Sequence, residues 1–110
     1  MVFRFGDVLL ATLVFSDTSG AKKRPVLVVH DAGDADLLVV PVTSHAPRTV
    51  EDVSLAAWAA SGLRLPSTVR TAKLTTLAKS AVARPLGRLA LEDERRVRDG
   101  LRQFLAALLA

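Results

Sequence analysis

Arg24, Thr43, Ser44 and His45 are the side chains of this sequence best suited to act together on a phosphodiester. They stand at the outer ends of two short apolar runs, residues 26–29 and 37–40, which flank a polar turn at 30–36 carrying Gly33. β-Branched runs of this length, bounded by Asp and Gly, predict a hairpin. Antiparallel pairing about Gly33 brings the start of one run beside the end of the other, and so Arg24 near Thr43. A guanidinium is permanently charged and forked. It can contact two phosphoryl oxygens and is a poor base. A threonine hydroxyl can donate to a phosphoryl or leaving oxygen, with Ser44 assisting. His45 belongs to the one side-chain type that ordinarily titrates near neutrality, which makes it the candidate base. Lys22 and Lys23 beside Arg24, with Arg70 and Lys73 further on, are candidate contacts to a nucleic-acid backbone. Taken singly, Arg24 reads as a surface arginine at a strand end and Thr43 as a β-former; only the pairing favours catalysis.

Other chemistries fail on residue type and spacing. The two histidines, His30 and His45, lie on either side of an apolar run and belong to no ligand-spaced cluster, so no metal is expected. There is no cysteine, which removes thiolate catalysis and a disulfide framework and fits a reducing, cytoplasmic setting. No glycine-rich phosphate loop with its lysine occurs, nor a Gly-x-Ser-x-Gly turn, and no cofactor is implied. What remains is metal-free work on a phosphodiester, which RNA makes possible because its own 2′-hydroxyl can attack the adjacent phosphorus. The protein then has to align the backbone, stabilise charge on the phosphoryl oxygens and move two protons.

The elements that position these residues are short. At 110 residues, half of them hydrophobic, the chain is expected to form one domain spanning residues 1–110. Residues 7–14 read as a central strand and 16–21 as a turn cluster. Pro25 pushes Arg24 towards extended geometry, and Pro41 marks an edge or bulge. Residues 45–50 read as a loop and 51–61 as a short helix stopped by Gly62, with Val53, Ala56, Ala57 and Ala60 on one face. Trp58 reads as a packing residue. Residues 67–71 form a strand, 73–77 a helical turn or loop, and 81–89 a last strand interrupted by Pro85. A terminal helix carries Val97, Leu101, Phe104, Leu105, Leu108 and Leu109 on one stripe, with Glu92, Asp93 and Glu94 in its first turn. Gly100 mid-helix costs about 1 kcal/mol relative to Ala unless a close contact compensates.

The net charge of +4, from 15 Lys+Arg and 11 Asp+Glu, is modest. Its placement is not: acids gather in 31–36 and 92–94, leaving 22–24, 64–79 and 84–88 basic, as a polyanionic partner would favour. The amino terminus reads as a strand and not a signal peptide, and no segment approaches the ~20 apolar residues of a membrane span.

The same residues carry a resemblance. KKRPVLVV followed by VVPVTS resembles the paired motif of the MazF/PemK toxins, endoribonucleases of bacterial type II toxin–antitoxin systems. Phe5-Gly6-Asp7-Val8 is similar to that family's opening strand, and Phe15-Ser16-Asp17 to the loop before its basic run. GLRLPSTVRTAKLTTL at 62–77 resembles the PemK-type block, and Pro85-Leu86-Gly87-Arg88-Leu89 the strand before its last helix. The resemblance implies a mainly β fold: a small, SH3-like, curved antiparallel barrel with a C-terminal helix. It implies a homodimer with single-stranded RNA in a groove, and an antitoxin whose disordered acidic and apolar tail orders on binding. It places the family's catalytic Arg and Thr at Arg24 and Thr43, and an mRNA interferase activity leaving a 2′,3′-cyclic phosphate and a 5′-hydroxyl. One departure stands out. The family's acid two residues beyond Arg70 is replaced by Ala72, which leaves the general base open. Two alternatives therefore stay in play: a gyrase poison resembling CcdB on the same barrel, and a catalytically inactive RNA- or antitoxin-binding barrel.

Overall fold

A computed structural model describes residues 2–14 and 20–110. The turn cluster at 16–19 and the Phe15-Ser16-Asp17 motif lie outside the described residues. Among those described are seven strands: β1 (Asp7–Val14), β2 (Ala21–His30), β3 (Asp36–Thr43), β4 (Asp52–Ser54), β5 (Thr68–Arg70), β6 (Thr75–Ala78) and β7 (Val82–Arg88). One helix, α1 (Leu91–Leu109), ends the chain. All pairings are antiparallel, in the order β4-β5-β3-β2-β1-β7, with β6 also on β3. The sheet is open and does not close, and its architecture is the expected curved antiparallel one.

The central strands are apolar on both faces because both faces are covered. Val8, Leu27, Val40 and Val69 pack with Val97 and Leu101 of α1. Leu9, Val26, Val28, Val39 and Leu37 pack on the other side with Phe3 and Leu77. That explains why the runs 26–29 and 37–40 read as nearly continuous instead of alternating. Gly33 turns the β2–β3 connection with a φ of +91°.

Three local expectations fail. Residues 51–61 do not form a helix. Asp52, Val53 and Ser54 pair with Arg70, Val69 and Thr68 as an edge strand, and only Ala59–Ser61 make a 3-10 turn. Sheet pairing of β-branched Val53 outweighs the helix preference of the alanines around it. The N–H groups of Ala56 and Ala57, which a helix would have used internally, donate instead to the two oxygens of buried Asp93 (3.0 and 2.8 Å). Residues 73–77 are likewise not a helical turn: Thr75–Ala78 pair with Val39–Asp36 as β6, burying Leu77 opposite Leu37. Ala21, expected in a turn, opens β2.

The helix keeps its predicted stripe but uses only the first half of it. Val97 and Leu101 are buried, whereas Leu108 and Leu109 are 65% and 82% exposed. Gly100 is explained by packing. A Cβ there would lie 3.2 Å from Val53 Cγ2 and 3.4 Å from Thr71 Cγ2, so glycine lets α1 approach the sheet closely. Among the described residues no helix is long and apolar enough to cross a membrane.

Candidate nucleic-acid interface

The site arises where two strands part. The last rung between β2 and β3 joins Val26 to Pro41. Pro25 and Pro41 have no N–H to extend the ladder. Beyond this point β2 continues along β1, with Arg24 opposite Ala11, while β3 turns to β5, with Thr43 opposite Thr68. Carried two residues on, the β2–β3 register would set Arg24 against Thr43. The splay instead places them on facing lips of a groove of about 1140 Å³.

That groove gathers most of the residues singled out by the sequence. Lys23, Arg24, Thr43, Ser44, His45, Arg70 and Lys73 all line it. Lys22, paired opposite Leu13, is not part of its lining. The structure adds Arg48, Arg64 and Arg84. Arg64 and Arg84 belong to basic stretches visible in the sequence and Arg48 to the loop read at 45–50, but their convergence depends on loops whose course no local pattern reveals. The floor is apolar, formed by Leu10, Leu13, Leu63, Leu65 and Leu86 with the two prolines. No carboxylate lines the groove among the described residues.

Thr43 is poised by a short turn. The His45 backbone N–H donates to Thr43 Oγ1 at 3.2 Å. Because that contact occupies an acceptor position of the hydroxyl, the Thr43 proton remains available to donate towards a ligand. The same turn ties exposed His45 to the lip bearing Thr43.

Arg70 is the anchored cation. Its Nε donates to Asp52 Oδ1 at 3.3 Å, and Asp52 also accepts from the Arg48 backbone N–H at 2.9 Å. Burial alone would raise the Asp52 carboxyl. The N–H of Arg48, the Arg70 guanidinium and the N–H of Thr49 outweigh it and hold the group below its ordinary range. Asp52 is thus a fixed counter-ion and not a base. Ala72 sits in the half-buried turn after Arg70 and is not part of the groove lining.

The charge pattern around the groove differs from that of the opposite flank. Arg88 pairs with Asp7 and Glu94, and Arg95, Arg96, Arg98 and Arg102 each sit against a carboxylate of α1. In the groove, Arg24, Arg48, Arg64 and Arg84 have no ion-pair partner among the described residues. Converging cations without internal counter-ions form an anion site.

Fold and site together define a small open-sheet protein with a cation-lined groove at a strand splay. The chain belongs to the PemK-like, MazF-like toxins of type II toxin–antitoxin systems, whose family model matches residues 4–105. Its fold is that of solved toxins of this kind. It superposes on a mycobacterial endoribonuclease in complex with its cognate antitoxin with a TM-score of 0.75 at 18% identity, covering 96% of each chain. MazE–MazF from Deinococcus radiodurans gives 0.77 at 21% identity, covering 96% of this chain and 97% of that one. The Mycobacterium tuberculosis toxin MazF-mt6 gives 0.74 at 20% identity over 91% and 96%. Comparison with curated proteins gives no match.

Proposed function

We propose that this toxin is a sequence-specific, metal-independent endoribonuclease that cuts single-stranded mRNA and so blocks translation in the cytoplasm. The observation that carries the reading is the gathering of Arg24, Thr43, Ser44 and His45 in one groove with cations that lack internal partners. The substrate strand lies across the splay, its phosphate between Arg24 and Thr43. The 2′-oxygen forms a bond to phosphorus as the 5′-oxygen leaves and takes a proton from water, giving a 2′,3′-cyclic phosphate and a 5′-hydroxyl. Arg24 offsets the charge that builds on the equatorial oxygens, and Thr43 donates to a phosphoryl or leaving oxygen. His45 takes the 2′-hydroxyl proton. Lys23, Arg70 and Lys73 hold the flanking backbone. The same basic, apolar-floored groove suits an acidic and apolar antitoxin tail, and a homodimer would extend it across two copies.

Incubating the protein with a long RNA in EDTA, then sequencing the new 5′ ends, tests the reading. Defined cuts ending in 5′-hydroxyls are expected, and intact RNA would overturn it. A second reading, an inactive RNA-binding barrel, is favoured by one observation: Arg70 is held by Asp52, and Ala72 supplies no acid. Tight binding without cleavage in the same assay would select it.

A further inference from the structure

Arg64 and Arg84 reach the groove from segments that are locked together by two glycines. A Cβ on Gly62 would lie 2.0 Å from the Leu86 carbonyl oxygen, and one on Gly87 would lie 2.5 Å from that of Ser61. The two backbones therefore touch, and Gly62 accepts the required φ of +87°. Asp93, clamping the N–H groups of Ala56 and Ala57, fixes the stretch that leads into this contact. Two residues from it along each segment, after Gly62 and before Leu86, stand Arg64 and Arg84, both exposed and both without a hydrogen-bond or ion-pair partner among the described residues. Leu65, 58% exposed, and Leu86 lie beside them in the groove.

Their place relative to the reaction centre follows from the register. Arg84 is opposite Leu10, and Leu10 is opposite Pro25, the neighbour of Arg24. At about 4.8 Å per strand, β7 lies about 10 Å from β2. A strand whose phosphate sits at Arg24 thus presents a neighbouring nucleotide to Arg84.

The chemistry available there is one-sided. The described lining has no carboxylate and no amide side chain. The whole chain has no asparagine, and its single glutamine is Gln103 on α1. A guanidinium only donates, so it matches base edges rich in acceptors: O6 and N7 of guanine, or the carbonyls of uracil. Adenine and cytosine present amino groups that call for a carboxylate or amide acceptor. An extruded base can also lie on a guanidinium plane.

We propose that Arg64 and Arg84 form a base-reading subsite that selects a keto base, uracil or guanine, at a position flanking the scissile phosphate. The proposal rests on the ribonuclease reading above.

Cleavage of a randomised RNA pool, read by sequencing the new 5′ ends, tests it. Uracil or guanine should exceed adenine and cytosine about tenfold at one flanking position. Arg64→Met and Arg84→Met should each slow cutting and bring that preference within about twofold. Arg84→Lys should lose the preference while keeping the salt dependence of binding, whereas a role in charge alone would leave the preference intact. Cuts without base preference, or with adenine or cytosine favoured at every flanking position, would overturn the subsite and leave the ribonuclease reading standing. If the protein cuts nothing, the ribonuclease reading fails. Affinities for 2′-O-methyl homopolymers of the four bases then decide the subsite, equal values for all four overturning it.

Discussion

Arg70 Nε sits 3.3 Å from Asp52 Oδ1, and this ion pair joins the groove to the scaffold, since Asp52 is only 2% exposed and caps the loop that carries Arg48. The pair is made through Nε alone, so the two terminal nitrogens of Arg70 have no partner among the described residues. Asp52→Asn should cost about 1–3 kcal/mol in urea denaturation, because buried donors lose a charged acceptor. Arg70→Met should also flatten the salt dependence of RNA binding by about 0.7 in log–log slope, one phosphate contact on a single strand. An unchanged slope would reduce Arg70 to a counter-ion of Asp52.

Loss of the Arg24 guanidinium should abolish toxicity and slow RNA cleavage about 10²–10³-fold, the usual cost of removing one preorganised donor to a developing charge. Arg24 is exposed and among the described residues bonds only its neighbour's carbonyl, Lys23 O at 3.3 Å, so Arg24→Ala should leave the thermal midpoint unchanged. A variant that folds and cuts at the wild-type rate removes Arg24 from the site.

The hairpin, the last strand and the helix were legible because each rests on a local signal: an apolar run, a turn glycine or a helical stripe; the expected Arg24–Thr43 pairing gives way to a splay beyond Val26 and Pro41. The failures share a cause. Val53 and Leu77 belong to edge strands whose pairing partners, Val69 and Leu37, are distant in sequence, so period and propensity could not reveal them. The same holds for Arg48, Arg64 and Arg84, which enter the groove through tertiary contacts such as Gly62 on Leu86. Lys22 shows the converse: adjacency to a site residue in sequence did not place it in the groove.

Binding of an uncleavable RNA should weaken steeply with salt. Seven lysines and arginines line the groove among the described residues. At about −0.7 per phosphate contact, engagement of most of them gives a log–log slope of about −4 to −5. A slope near zero would mean that these cations are ordinary surface.

Acid should loosen the β2–β3 turn in a defined window. The Asp31 carboxyl accepts from the Phe3 N–H, pairs with Lys79 Nζ at 2.9 Å and accepts from the Gly33 N–H, and is held down at about 2. A depressed carboxyl favours the folded state above its ordinary value of 3.8, and that contribution is lost as pH falls towards 2. Asp31→Asn should lower the melting temperature at pH 7 and remove much of its decline between pH 4 and pH 2. An unaltered melting profile across that window would show that the contacts of Asp31 do not couple to folding.

With Ala72 in place of an acid, and Asp52 committed to Arg70, His45 is the base within the groove that a proton-transfer scheme has to test. Its backbone N–H is bonded to Thr43 Oγ1, so the imidazole is tethered two residues from the hydroxyl that faces Arg24. A base acts in its neutral form. Removing the imidazole therefore removes the acceptor of the 2′-hydroxyl proton. His45→Gln keeps hydrogen-bonding capacity but has no basic nitrogen; it should slow the reaction about 10²-fold. Thr43→Ala in the same background should slow it further, because the donor to the phosphoryl or leaving oxygen acts independently of the base. If His45→Gln retains the wild-type rate, the proton goes to solvent. Arg24 and Thr43 then act through positioning and charge alone.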